Sequence, residues 1–199
     1  MCVDSGKANT AFYDLMSKGV DGIQEEVNLL CAGPYGTAEE VAEIKALLHY
    51  ILHEETSEKQ YPNGIRDKGR PPGTRLEYFL THENAKKARL TKSEVVALRF
   101  YTTLGYTFMN NPLRDEMRRK RGDACPLPVT TANAEEGTKK LRKLNAKSQR
   151  LLTRKGGGVT LWRGMRATKA TQEFLKEGGT ELAFMSTTTN LEVLVTSTP

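Results

Sequence analysis

Cysteine is scarce in this sequence, and its three residues, Cys2, Cys31 and Cys125, are far apart. An odd number at such spacing excludes a disulfide framework and a paired-cysteine metal site. No apolar run approaches the length of a membrane span, and the first residues lack the apolar stretch of a signal peptide. We therefore expect a cytoplasmic protein in a reducing compartment, without a membrane partner.

Metal-binding and phosphate-binding motifs are also absent. His49 and His53 have the spacing of a two-histidine metal face, but Tyr50 stands where the glutamate of that motif would follow. We interpret the pair as a solvated or packed helix face and expect no metal. The glycines at 156–158 are not followed by the Lys-Ser/Thr of a phosphate-binding loop.

Positive charge predominates in this sequence: the net charge is +6 and the pI is about 9.2. Two stretches, 114–121 and 139–155, hold most of the clustered Lys and Arg. Aromatic residues, which would stack on bases, do not alternate with these charges. A solvated basic helix face is the preferred interpretation, nucleic-acid binding is second, and attraction of an acidic target or of NAD is third.

Two capping boxes predict the clearest helices. Thr37 to Glu40 begins a helix that runs to about Glu55, and Thr91 to Glu94 begins one that Asn110-Asn111-Pro112 ends. A basic amphipathic helix is predicted to begin near Asn133. Pro and Gly between residues 56 and 75 indicate a linker. We therefore expect a helical N-terminal extension and linker, 1–73, and a second domain, 74–199.

Two strand-like stretches near the end of the sequence contain the candidate site. In the stretch 158–166, Arg163 alternates onto the same face as Val159, Leu161 and Met165. An arginine among apolar neighbours needs an anionic partner, and the glycine that follows it lets a ligand approach the backbone. The second stretch, 181–189, ends in four hydroxyl residues. Together they suggest a cleft for a phosphate and a sugar.

These stretches, Leu161-Trp-Arg-Gly-Met-Arg166 and Phe184-Met-Ser-Thr-Thr-Thr189, resemble the first two elements of the Arg–Ser–Glu signature of arginine-modifying mono-ADP-ribosyltransferases. Three further stretches fit the same family: 96–103, 109–114 and 178–182. The resemblance implies an α+β fold, with a helical N-terminal half and the first strands of a mixed split β-sheet. It also implies NAD as substrate, with NADP as an alternative, and a protein acceptor, with arginine as the modified side chain.

The resemblance also implies roles for individual residues. Arg163 would hold the pyrophosphate of NAD, and the backbone of Gly164 would hold the nicotinamide amide. Ser186 would position the ribose or brace the arginine, with Thr187 and Thr188 supporting the strand. The plainer alternatives are a structural arginine that pairs with a buried carboxylate, and hydroxyl residues chosen for their β propensity.

The third element of the signature is a catalytic glutamate in a later Glu-x-Glu or Gln-x-Glu. The sequence has no Glu-x-Glu, and its one Gln-x-Glu, Gln24 to Glu26, lies upstream of Arg163. We therefore expect an incomplete transferase whose sheet has an unpaired edge and exposed apolar surface. The alternative is a non-catalytic nucleotide- or anion-binding module with basic helices.

Overall fold

The computed structural model describes residues 5–30, 33, 36–56, 71–123, 125–154, 160–163 and 171–192. The chain divides into two compact units, Met1–Asn145 and Ala146–Pro199. The linker predicted between residues 56 and 75 lies mostly outside the described residues. The predicted domain boundary after residue 73 does not coincide with this division, because helices from both sides of it pack together in the first unit. The boundary between a helical extension, 1–73, and a second domain, 74–199, stays a prediction.

Ten helices of the described residues follow one another along the chain. They are α1 Ser5–Ser17, α2 Val20–Leu29, α3 Ala38–His53, α4 Leu76–Thr81, α5 Glu83–Ala88, α6 Lys92–Tyr101, α7 Gly105–Arg114, α8 Glu116–Arg121, α9 Pro128–Arg154 and α10 Gln172–Glu177. The core of the first unit lies between α2, α3, α6, α7 and the start of α9. Its largest fully buried apolar side chains are Ile23, Val27, Leu47, Val96, Phe100, Met109, Leu127 and Val129.

Both predicted capping boxes are confirmed. The Thr37 hydroxyl accepts the Glu40 amide at 3.2 Å, and the Glu40 carboxylate accepts the Thr37 amide at 2.8 Å. Thr91 and Glu94 make the same two bonds at 3.2 and 2.8 Å. Each box satisfies two amides that have no partner within the helix, so α3 and α6 begin where the sequence predicted.

The predicted single helix from Thr91 to Asn110 is wrong in two respects. It is broken at Thr102–Leu104, where the Thr103 hydroxyl donates to the Phe100 carbonyl at 2.7 Å. This side chain offers the backbone an alternative to the helical hydrogen bond. Helical conformation resumes in α7, which does not end at Asn110 but continues through Pro112 to Arg114. The proline removes one hydrogen bond but does not end the helix.

The start of α9 also differs from its prediction near Asn133, which is buried inside the helix. Pro128 occupies the first helical position, where its missing amide costs nothing. The next two amides donate to the Glu26 carboxylate of α2, Val129 at 2.6 Å and Thr130 at 2.9 Å, and the Thr130 hydroxyl donates at 2.6 Å. Glu26 therefore caps α9 from a distant part of the chain.

The buried position of Glu26 makes the stability of the first unit depend on pH. Burial raises the pKa of its carboxyl above the ordinary value of 4.5, and the hydrogen bonds from Thr130 and Val129 offset only part of that rise. As pH rises above 4.5, the unfolded chain loses this proton while the folded chain keeps it. We expect the free energy of unfolding to fall between pH 4.5 and 7 relative to that of Glu26→Gln, which does not titrate.

Denaturant unfolding of both proteins, followed by circular dichroism over this pH range, measures the difference. If the free energy of unfolding of the wild type rose with pH relative to that of Glu26→Gln, the direction of the pKa shift would be contradicted. The hydrogen bonds would then lower the pKa of Glu26 by more than burial raises it.

The predicted α+β fold with a split sheet is wrong for the described residues, which are mostly helical and contain no sheet. The two stretches expected as strands meet at one isolated antiparallel bridge, Trp162 to Thr188. Alternation predicted strands, but a strand also needs an apolar layer beneath it, and two paired strands alone are marginal in water. Here Leu161, Leu182 and Met185 are each more than half exposed.

Candidate functional site

The candidate site lies in the second unit, where the bridge joins the two motif stretches. The Trp162 amide donates to the Thr188 carbonyl at 2.8 Å, and the Thr188 amide donates to the Trp162 carbonyl at 2.9 Å. These reciprocal bonds place Arg163, the next residue along the chain, beside the hydroxyl stretch that begins at Ser186. Two stretches that lie far apart in the sequence are thereby adjacent.

Arg163 has an anionic partner within the same unit. One guanidinium nitrogen, Nη2, lies 3.1 Å from Oε2 of Glu181, and each of the two side chains is about a quarter exposed, 26% and 24%. Glu181 also accepts the Ala183 amide at 3.1 Å. This pair matches the structural alternative for Arg163, except that the carboxylate is only partly buried. The guanidinium has further donors that a phosphate could use.

The remaining predicted site residues differ in their surroundings. Ser186 and Thr187 are exposed. Thr188 is half-buried, and its hydroxyl accepts the Asn190 amide at 3.1 Å, so it shapes the turn after the bridge. Gly164, the predicted partner of the nicotinamide amide, lies outside the described residues. The bridge thus brings Arg163 close to the Ser186–Thr188 stretch, whereas the contribution of Gly164 stays a prediction.

Trp162 is a natural fluorescent probe of the candidate site. It is the only tryptophan of the sequence, and its side chain is 42% exposed. Trp162 makes the bridge and precedes Arg163, so it lies at the candidate site. Because the sequence has no other tryptophan, tryptophan fluorescence reports on this segment alone. Sequence analysis assigned it no role, although its position inside the motif is visible in the sequence.

Two other sets of potentially reactive side chains, the His49–His53 pair and Cys125, lie in the first unit. The rings of His49 and His53 lie 4.9 Å apart on α3, and the part of the chain that the structure describes holds no group of three metal-binding side chains. Burial raises the pKa of the Cys125 thiol. Burial therefore disfavours the thiolate, which is the nucleophilic form of cysteine.

The basic residues predicted to form solvated helix faces make many local ion pairs. Lys139 pairs with Glu135 and Glu136, and Lys120 pairs with Glu116. Lys140 of α9 pairs with Glu94, the carboxylate of the Thr91–Glu94 capping box, with 2.6 Å between Nζ and Oε1. These pairs reduce the positive charge available to a polyanion.

Sequence analysis missed Arg99, which lies within an apolar stretch of α6 and is 5% exposed. The sequence does contain an indication of its burial, since Arg99 is a charged residue flanked by Leu98 and Phe100. Its guanidinium carbon lies 4.8 Å from the centre of the Phe79 ring, a cation–π contact. Arg99 also lines a cavity of about 350 Å³ in the first unit.

Comparison with known proteins identifies no relative: no family model, no curated protein and no solved structure matches the chain. Among the described residues, no helix combines the length and the apolar character needed to cross a membrane.

Proposed function

We propose that this chain carries the NAD-binding part of an arginine-modifying mono-ADP-ribosyltransferase, which transfers ADP-ribose from NAD to a protein side chain and releases nicotinamide. The observation that supports the proposal is the Trp162–Thr188 bridge, because it places the arginine motif beside the serine–threonine motif. This adjacency does not depend on a complete sheet. The fold of the described residues does not contribute to the proposal.

In the proposed reaction, the bond between the nicotinamide nitrogen and C1 of the ribose breaks, and nicotinamide leaves with the bonding electrons. The acceptor arginine nitrogen then attacks C1 and loses a proton. Arg163 holds the pyrophosphate through bidentate charge-assisted hydrogen bonds, and Ser186 orients the ribose. A carboxylate must stabilise the oxocarbenium-like transition state, and we assign this role to no residue of this sequence.

Glu181 sets the strength of NAD binding in this proposal, because it competes with the pyrophosphate for the Arg163 guanidinium. A phosphate must share or replace this carboxylate, and two anions on one guanidinium repel each other. Glu181 therefore weakens binding of the dinucleotide while it holds Arg163 in place.

NAD titration of the 199-residue protein, followed by Trp162 fluorescence, tests the proposal. We expect saturable quenching by NAD, with NADP measured in parallel. Arg163→Ala should weaken binding by about tenfold or more, since it removes a charge-assisted contact. Glu181→Gln should tighten binding by about threefold, because the competing charge is gone while the size of the side chain is kept.

The matched control is Arg75→Ala, which removes an arginine that is likewise paired with a glutamate, Glu55, but in the first unit. Its affinity for NAD should equal that of the unsubstituted protein. Absence of saturable NAD binding, or equal affinity in Arg163→Ala, would exclude the proposed site.

A second candidate function, anion binding through basic helices, has one supporting observation. A groove of about 510 Å³ in the first unit is lined by Lys87, Arg89, Lys140 and Lys143. It ranks second because Lys87 pairs with Glu83 and Lys140 with Glu94. Binding of inorganic tripolyphosphate that is lost in Arg89→Gln with Lys143→Gln, and unchanged in Arg163→Ala, would favour it over NAD binding.

A further inference from the structure

A cavity of about 350 Å³ lies in the first unit between α4, α5, α6 and Leu141 of α9. Sites for small organic molecules have volumes of about 300 to 1,000 Å³, so this one is in the lower part of that range. Apolar groups form most of its wall, which includes Phe79, Val95 and Leu98. The cavity therefore has the size and character of a site for a molecule with one or two rings.

The lining residues differ in their exposure to solvent. Ala85 and Val95 are buried, so they form the floor of the cavity. Tyr78, His82 and Asn84 are exposed, so they form its mouth. A ligand in this cavity can thus bury an apolar body against the floor and keep a polar end at the mouth.

Aromatic rings line the side of the cavity that α4 forms. Tyr78 meets Phe79 edge to face with ring centres 5.4 Å apart, and the His82 ring centre lies 6.2 Å from that of Tyr78. Rings in edge-to-face contact leave other edges and faces on which a further planar ring can pack. This wall favours an aromatic ligand over an aliphatic ligand of the same size.

The cation of the wall, Arg99, already has partners within the protein. One of them is the Phe79 ring, whose centre lies 4.8 Å from the guanidinium carbon. An anionic ligand would lose its hydration and compete with these partners. A cationic ligand would be repelled, since no Asp or Glu is among the described residues that line the cavity. The cavity therefore favours an uncharged ligand.

The mouth of the cavity holds neutral hydrogen-bonding groups. Nδ1 of His82 accepts the Asn84 amide at 3.2 Å, so in this tautomer the ring proton lies on Nε2, which can donate. The side-chain amide of Asn84 can both donate and accept. These groups suit a hydroxyl or a carbonyl at the polar end of a ligand.

We infer that this cavity binds a small uncharged aromatic molecule that carries one hydroxyl or carbonyl group. The ring packs against Phe79 and Leu98, and the polar group lies at the mouth, beside His82 and Asn84. The inference concerns the first unit and does not depend on the proposed binding of NAD.

Calorimetric titration of the whole protein with four probes of one carbon skeleton tests this assignment. The probes are 2-naphthol, 2-naphthoate, 2-naphthylmethylammonium and the saturated alcohol decahydro-2-naphthol. At neutral pH we expect 2-naphthol to bind with a dissociation constant on the order of 0.1 mM. Both ions should bind more weakly by about tenfold or more, because each must be desolvated without a free partner. The saturated alcohol should bind about threefold more weakly, because it lacks the aromatic contacts.

Ala85→Leu is the variant that fills the cavity, because Ala85 lines it and is buried on α5. It should weaken 2-naphthol binding by about tenfold or more, since the added side chain occupies the volume of the ring. Ala88→Leu is the matched control, since it makes the same change on the same helix at a position that does not line this cavity. Its affinity for 2-naphthol should be unchanged.

The four-probe comparison on the unsubstituted protein keeps the test decisive even if Ala85→Leu does not fold. Absence of 2-naphthol binding, or full binding of 2-naphthol to folded Ala85→Leu, would overturn the site. Binding of either ion as tight as that of 2-naphthol would overturn the preference for an uncharged ligand. Equal binding of the saturated alcohol would overturn the preference for an aromatic one.

Discussion

Replacement of Glu26 by alanine is expected to lower the free energy of unfolding of the first unit by about 3 kcal/mol. The substitution leaves the amides of Val129 and Thr130 buried without their acceptor, and each orphaned donor costs about 1 to 3 kcal/mol. It also leaves space where the side chain was. For a unit of this size, we expect the melting temperature to fall by about 10 °C.

The control for this experiment is Glu25→Ala, one residue earlier on α2. Glu25 is 48% exposed and pairs with Lys18 on the surface. Exposed pairs contribute about 0 to 1 kcal/mol, so the control should melt within about 3 °C of the unsubstituted protein. Equal losses in the two variants, measured by thermal circular dichroism, would mean that Glu26 does not cap α9.

Replacement of Gly22 by alanine is expected to have the second large effect. A Cβ at this position would lie 1.8 Å from the Leu15 carbonyl oxygen, which belongs to the backbone of α1. The two helices would have to move apart, because no rotation of a side chain relieves a contact with the backbone. The overpacking outweighs the helix propensity that alanine adds, and we expect a net loss of about 2 to 3 kcal/mol.

Gly137→Ala, in the middle of α9, is the matched control. There the added Cβ would lie 2.8 Å from Cδ1 of Leu98, the end of a side chain that can turn away. We expect its stability to stay within about 1 kcal/mol of the unsubstituted protein, since the gain in helix propensity offsets the repacking. Urea unfolding compares the two variants directly. A loss in Gly137→Ala as large as that in Gly22→Ala would contradict the role of the close backbone approach.

Prediction from the sequence succeeded where the determining contacts are local. Thr37 and Glu40 are three residues apart, and so are Thr91 and Glu94, so each capping box is complete within one turn of chain. The C-terminal end of α10 at Gly178 is also local in origin, because this glycine has a φ of 75°, which other residues rarely adopt, and its amide donates to the Phe174 carbonyl of the last turn. Such features need no knowledge of the rest of the molecule.

Prediction failed where the determining partner is distant in the chain. The start of α9 depends on the Glu26 carboxylate, which lies more than a hundred residues earlier, and no local pattern in the sequence links Glu26 to Val129 and Thr130. The strand prediction for 158–166 used alternation alone. Alternation specifies which side chains share a face, but pairing and an apolar layer decide whether a strand forms.

The sequence by itself determined the helix starts at Thr37 and Thr91, the motif residues Arg163 and Ser186 to Thr188, and the basic character of the chain. Tertiary structure alone decided that Glu26 caps α9, that Arg163 pairs with Glu181, and that Arg99 faces an apolar cavity. The physical reason is the range of the interactions. Caps and turns are completed within a few residues, whereas burial, ion pairing and cavities depend on which distant side chains the fold brings together.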